Sequence, residues 1–287
     1  MNTEIFYFSG TGNSLFISRE LQKRISNSKL IPIVSLLNKS IIETSADVIG
    51  VVFPLQGPTF PNAVKQFLEK IKFRPDSYIF AIATRGGTTS RIRQEINKIL
   101  KKKNKILNSN FSITMFNNDP KLLNKENKNY EFHIPTKDEL VKKEIEISNK
   151  LDLIKGIILK KENYNEKDND YYFKYNFILE KIILFAIKLM ESKSIKNYFY
   201  VDSKCKSCGI CERVCLSNRI KTIDKKPVWD DKILCYMCYS CLNFCPTESI
   251  QINSKWYMKS YTTKQGRYSH PYATVKDMEE QKYFGNS

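Results

Sequence analysis

All eight cysteines of the 287-residue chain fall within 41 consecutive residues. They form two runs, Cys205, Cys208, Cys211 and Cys215, then Cys235, Cys238, Cys241 and Cys245, each spaced C-x2-C-x2-C-x3-C. Adding 30 to each number in the first run gives the second, and the same step carries Ile220 onto Ile250, so the segment is an internal duplication. A disulfide framework is a poor reading, because neither a secretion signal nor cysteines elsewhere support one. Structural zinc sites usually pair two separated cysteine pairs, whereas here three close thiols repeat with a more distant fourth. A cubane cluster explains the spacing: three thiolates wrap three corners, and the fourth iron takes a cysteine from the other run. The spacing therefore predicts two [4Fe–4S] clusters with crossed ligation. Cluster I would use Cys205, Cys208, Cys211 and Cys245, and cluster II would use Cys235, Cys238, Cys241 and Cys215.

With these motifs, the segment from Val201 to Asn253 resembles the bacterial two-cluster ferredoxin. That resemblance implies a small pseudo-twofold α+β fold with a short strand and helix per repeat. The segment departs from the pattern where Leu216, rather than proline, follows Cys215; Pro246 follows Cys245. The stretch Leu216 to Leu234 is also longer than in minimal ferredoxins, and its IKTI, Asp224-Lys225-Lys226-Pro227, VW order predicts a small hairpin. Freely diffusing ferredoxins are typically acidic, and this segment has a slight basic excess, which argues for a built-in electron wire.

The other end of the chain begins with an apolar strand, EIFYF, then Ser9-Gly10-Thr11-Gly12-Asn13-Ser14, then a helical pattern. Strand, small-residue loop and helix N-terminus together make an anion cradle of N–H groups and hydroxyls. The loop lacks the lysine of a nucleotide P-loop and the third glycine of a dinucleotide fingerprint, which leaves a monophosphate. SGTGNS resembles the FMN phosphate loop of flavodoxins. Further strands are predicted at Leu30–Val34, Asp47–Pro54, Tyr78–Thr84 and Phe111–Phe116, with helices at about Asn62–Ile71, Ser90–Lys103 and Asp138–Lys161. Alternating β and α units predict a doubly wound parallel sheet with ligands at the carboxyl ends of its strands.

Two of those strand ends carry candidate loops, Pro54 to Pro61 with Gln56 and Gly57, and Thr84-Arg85-Gly86-Gly87. The flavodoxin resemblance implies that they hold the isoalloxazine ring. Such loops usually stack aromatics on the ring, and here Gln56, Pro58 and Arg85 stand instead, with Phe60 or Phe116 as substitutes. The cation of Arg85 would stabilise an anionic reduced flavin.

The net charge of +17 offers nucleic acid as a partner, yet +10 of it is spread over residues 1–150 and only Lys98 to Lys105 forms a cluster, at a predicted helix end. No nucleic-acid partner is expected; an acidic redox protein is. No run reaches the roughly 18 apolar residues of a membrane span and no signal peptide is visible, so a soluble cytoplasmic protein is expected. The Asn/Asp-rich stretch 162–176 reads as a linker, and Ile178, Ile182, Ile183, Ala186, Leu189 and Met190 follow on one helical face. Residues 254–287 read as a tail in which His270 packs or lies on the surface.

The fold class expected is thus α/β, a flavodoxin-like doubly wound sheet over residues 1–161, then a linker and helix (162–200), then a small α+β two-[4Fe–4S] ferredoxin domain (201–253). This order resembles flavodoxin–ferredoxin fusion proteins of anaerobic bacteria. The resemblance implies electron transfer between FMN, two clusters and a redox protein partner. A flavin-dependent reductase of a small molecule, and a ferredoxin whose first domain has lost FMN and serves as a docking scaffold, are the alternatives.

Overall fold

The computed structural model describes residues 1–56, 59–86, 90–118, 134–166, 182, 185, 197–253 and 266–283. The apolar runs of the first half become parallel strands: β1 (Thr3–Tyr7), β2 (Ser28–Pro32), β4 (Val48–Pro54), β6 (Tyr78–Arg85), β7 (Ser109–Thr114) and a short β8 (Tyr164–Asn165). Their order across the sheet is β2-β1-β4-β6-β7-β8, and every pairing is parallel. Two-residue strands β3 (Ile42–Glu43) and β5 (Ile71–Lys72) pair only with each other. Without them the order begins 2-1-3-4-5, the flavodoxin-like form of the doubly wound sheet, and its direction reverses between β1 and β4.

Helices α1 (Asn13–Arg24) and α4 (Lys137–Leu159) cover one face, where Leu15, Ile17 and Leu21 share a core with Leu151, Ile154 and Ile158. Helices α2 (Asn62–Lys70) and α3 (Ile92–Leu100) cover the other, with Val64, Phe67, Leu68, Ile92 and Ile96. Covered on both sides, β4 and β6 are buried almost throughout, which is why they read as continuous apolar runs.

Two expectations are corrected. The second strand ends at Pro32, and Val34 lies in the 3-10 turn Ile33–Leu36. The predicted linker begins as a strand: β8 extends the sheet, Glu166 accepts from the Ser112 N–H at 2.6 Å and pairs with Lys150 at 2.5 Å. Two residues are too few to leave a periodic signal. The lysine cluster stands at the end of α3, as expected, and caps carbonyls there: Lys103 Nζ donates to Glu69 O (2.8 Å) and Ile71 O (2.6 Å), and Lys105 Nζ to Arg74 O (2.6 Å). Of the predicted helix after the linker, Ile182 and Phe185 are helical and exposed, and the rest lies outside the described residues. No helix among the described residues is long and apolar enough to cross a membrane.

The cysteine-bearing half repeats in its backbone as well as its sequence. Strand β9 (Phe199–Val201) pairs antiparallel with β12 (Ile250–Ile252), and β10 (Ile220–Ile223) with β11 (Lys226–Trp229). Helices α5 (Ile210–Arg213) and α6 (Ser240–Asn243) are 30 residues apart, as are the left-handed residues Ser207 and Met237, Gly209 and Tyr239, and Asn218 and Glu248. The expected hairpin is β10–β11, turned by Asp224 and Lys225, both at positive φ as a tight twisted turn requires. Helix α7 (Val275–Glu280), started by a Thr274–Asp277 capping box, belongs to a C-terminal segment that returns to the first half.

The two halves share cores. Leu216, which stands where the second run has Pro246, is 1% exposed and sits in the cluster containing Phe8, Phe53 and Phe60. Val214 and Met278 join the core on the opposite face of the sheet. Leu216→Ala should therefore cost about 2–5 kcal/mol, read as a lowered urea midpoint. An unchanged midpoint would show that the shared core does not bind the halves together.

Candidate functional site

All eight cysteines are among the described residues, and no disulfide joins them. Cys205, Cys208 and Cys211 line one cavity together with Cys245 from the other run. Cys208 is exposed and Cys205, Cys211 and Cys245 are partly so, with Lys206, Thr222, Lys225 and Pro227 completing the wall. The converse set lies deeper. Cys215 and Cys241 are each 8% exposed, and Cys215 is close enough to act electrostatically on Cys235, Cys238 and Cys241. Among the described residues, no group of three or more His, Cys, Asp or Glu side chains is placed to hold a metal ion.

Burial governs the thiols. It pushes Cys211 up to about 11, helped by Cys208 and Cys245, and Cys235 up to about 12, helped by Cys238; Cys241 is also pushed well up. Cys245 is the exception: burial raises it, but Ser249 and Thr247 together outweigh that and hold it below the ordinary thiol value. Its sulfur accepts from the Ser249 N–H at 3.3 Å and lies 3.2 Å from Ser249 Oγ. Cys235 accepts from the Met237 N–H at 3.4 Å. Arg219, 4% exposed and paired with Asp231 at 2.7 Å, lowers the cost of a thiolate at Cys235.

The second cysteine loop is seated on the α/β half at the strand-order reversal. Ser240 Oγ donates to Gly10 O at 2.5 Å, and Gln56 Nε2 donates to Tyr236 O (2.7 Å) and Met237 O (3.0 Å). A Cβ on Gly10 would stand 2.2 Å from Cys238 O, so only glycine allows this approach.

The loop predicted to cradle a phosphate is closed. Ser9, Thr11, Asn13 and Ser14 are between 1% and 6% exposed. Gly12 donates to Ser9 Oγ at 3.1 Å, Ser14 Oγ meets Thr84 Oγ1 at 2.8 Å, and Thr11 Oγ1 accepts from Asn118 Nδ2. Residues of the C-terminal segment cover it: His270 N donates to Thr11 O at 2.8 Å, and a Cβ on Gly12 would stand 2.3 Å from Ala273 Cβ. Asn13 Oδ1 is a buried acceptor without a partner, and an ionised phosphate, which has only acceptors, would not satisfy it. In this arrangement the loop does not fit an FMN phosphate.

Of the ring-loop residues, Pro54 ends β4 beside Thr84, and Gln56 holds the cysteine loop. Gly57, Pro58 and Gly87 lie outside the described residues. Arg85 Nε reaches Thr114 Oγ1 on the next strand at 3.3 Å, and Gly86 packs beside Asn117. Phe60 does not stand in as a stacking aromatic, because it is a core residue edge-on to Phe53; Phe116 meets Tyr268 edge-on.

No protein-family model matches the chain, and no curated protein matches it. Solved structures similar to it include a Megasphaera elsdenii flavodoxin (17% identity, 41% of this chain and 90% of that one, TM-score 0.30). An archaeal flavodoxin is 13% identical over 53% of this chain and 99% of its own, TM-score 0.32. A Lactobacillus acidophilus flavoprotein in complex with FMN is 12% identical over 39% and 92%, TM-score 0.31. Scores this low add nothing to the strand order, on which the fold assignment rests.

Sequence reading missed Ser240, Tyr236, Gln281 and His270 as partners of the candidate loops. His270 is 3% exposed, stacked on Phe16 at 4.3 Å, and burial lowers its pKa from 6.5 to about 4. The folded protein thus keeps this ring neutral while the unfolded chain protonates it below about 6.5. Its contribution is complete above that pH and drains away as pH falls toward 4. Relative to His270→Phe, which keeps the stack, the wild type should lose about 1–3 kcal/mol across that window in urea titrations. Parallel pH profiles would refute a buried neutral histidine.

Proposed function

We propose that the protein is an iron–sulfur electron-transfer protein that holds two [4Fe–4S] clusters by crossed ligation and exchanges single electrons with a redox protein partner. The observation that carries this reading is the cavity in which Cys245 joins Cys205, Cys208 and Cys211 across the duplication, mirrored by Cys215 beside Cys235, Cys238 and Cys241. Four thiols around a cavity, instead of converging on one point, suit a group that presents a separate iron to each. When bound, each cluster supplies a one-electron carrier whose potential follows its sulfur hydrogen bonds and exposure.

The chain's residues have distinct parts in this. The N–H groups of Met237 and Ser249 and the hydroxyls of Thr247 and Ser249 are placed to stabilise thiolate charge. Burial of Cys215 and Cys241 keeps water from them, whereas exposed Cys208, with Lys206 and Lys225 lining the same cavity, makes the first set the side facing a partner. Those lysines fit an acidic redox protein. The strand order also supports FMN at the β1/β4 reversal, which would make the protein an iron–sulfur flavoprotein; the closed loop stands against it in this arrangement.

Anaerobically prepared protein should carry about eight iron and eight sulfide per chain. Cys245→Ala should disturb the first set and leave the second, and Cys215→Ala the reverse, each keeping about half the iron. Iron near one or two per chain, or a full complement in both variants, would sink the crossed-cluster reading.

A further inference from the structure

The C-terminal segment does more than pack. We propose that Tyr268–Gln281 is a strap seated in the cradle that the sequence offers to a phosphate, so that the strap and an FMN phosphate exclude each other. The segment takes up three main-chain groups of the loop: the Ser9 N–H, the Ser9 carbonyl and the Thr11 carbonyl. The fully buried Gln281 side chain receives the Ser9 N–H at 3.1 Å through Oε1 and returns a bond to Ser9 O at 2.9 Å through Nε2. It thereby satisfies both main-chain groups of one residue, as a neighbouring strand would. The His270 N–H takes the Thr11 carbonyl, and the His270 ring covers Phe16 on the first turn of α1. Gly12, at φ +99°, is the residue whose missing side chain would allow a phosphate to approach; here Ala273 and His270 use that space.

Charge fixes the strap along its length. Arg19 on α1 pairs with Asp277, and Arg213 on α5 pairs with Glu279 at 2.7 Å. The Tyr268 N–H donates to Asn243 Oδ1 at 3.1 Å, tying the start of the strap to α6. The strap therefore touches the cradle and both cysteine repeats. This inference does not depend on the clusters, because flavin binding and iron content are measured separately.

The test is fluorescence titration of the full-length protein with FMN and with riboflavin, which lacks the phosphate. Wild type should hold neither tightly, or hold both equally weakly. Gln281→Ala should bind FMN at least tenfold more tightly than wild type does, as expected when a closed form is released, and prefer FMN to riboflavin. Arg19→Ala, a change on a part-exposed helix face that leaves the core intact, should gain about threefold on the same ground. Two results would overturn the proposal. One is wild type binding FMN tenfold more tightly than riboflavin, which would put a phosphate in the cradle with the strap in place. The other is Arg19→Ala with unchanged circular dichroism and no gain in FMN affinity.

Discussion

The contact between Gly10 and the Cys238–Ser240 backbone sets the terms for the rest of the molecule. Two main chains approach until no side chain fits between them, and the Ser240 hydroxyl closes the gap with a hydrogen bond to Gly10 O. Such an approach fixes position to a fraction of an ångström, because backbone has no rotamers with which to yield. It puts the second cysteine loop at the reversal of strand order, where a doubly wound sheet exposes its binding crevice. Burial of that loop follows, and from burial come its raised thiol pKa values. The first set, seated farther out, keeps Cys208 in contact with solvent. Buried Cys215 and Cys241 beside exposed Cys208 give the cysteine half a direction, with one end turned to the sheet and one to solution.

Much of this was legible in the residues. Central strands of the sheet could be placed to within a residue or two because burial on both faces leaves unbroken apolar runs such as Val48–Phe53. The step of 30 in the cysteine spacing is a symmetry that the backbone obeys down to its left-handed residues. The β10–β11 hairpin followed from turn chemistry. Strand β8 was hidden because its support comes from Glu166 and Lys150, which are polar residues with no periodicity.

The candidate site was less legible for a different reason. The glycines and hydroxyls of the Ser9–Ser14 loop are what a phosphate needs, and equally what a close protein segment needs. Sequence cannot distinguish a glycine that admits a ligand from one that admits a backbone. A signal was present in the differences between the repeats. Gly209 and Ile210 in the first correspond to Tyr239 and Ser240 in the second, and Leu216 corresponds to Pro246. Departures from the duplication mark the places where each repeat meets its surroundings: Ser240 bonds Gly10, and Leu216 enters the α/β core.

The paired bonds between Ser9 and Gln281 join residues 272 positions apart. Such a junction imposes an order on synthesis. The sheet and its helices are complete in sequence well before residue 281 leaves the ribosome, and domains fold largely as they emerge. Throughout that interval the Ser9 N–H and carbonyl are without the Gln281 side chain that caps them in the finished fold. Closure by residue 281 comes only after both cysteine loops have been made. The nascent protein thus passes through a stage in which Ser9 lacks its Gln281 partner while both cysteine loops are already present.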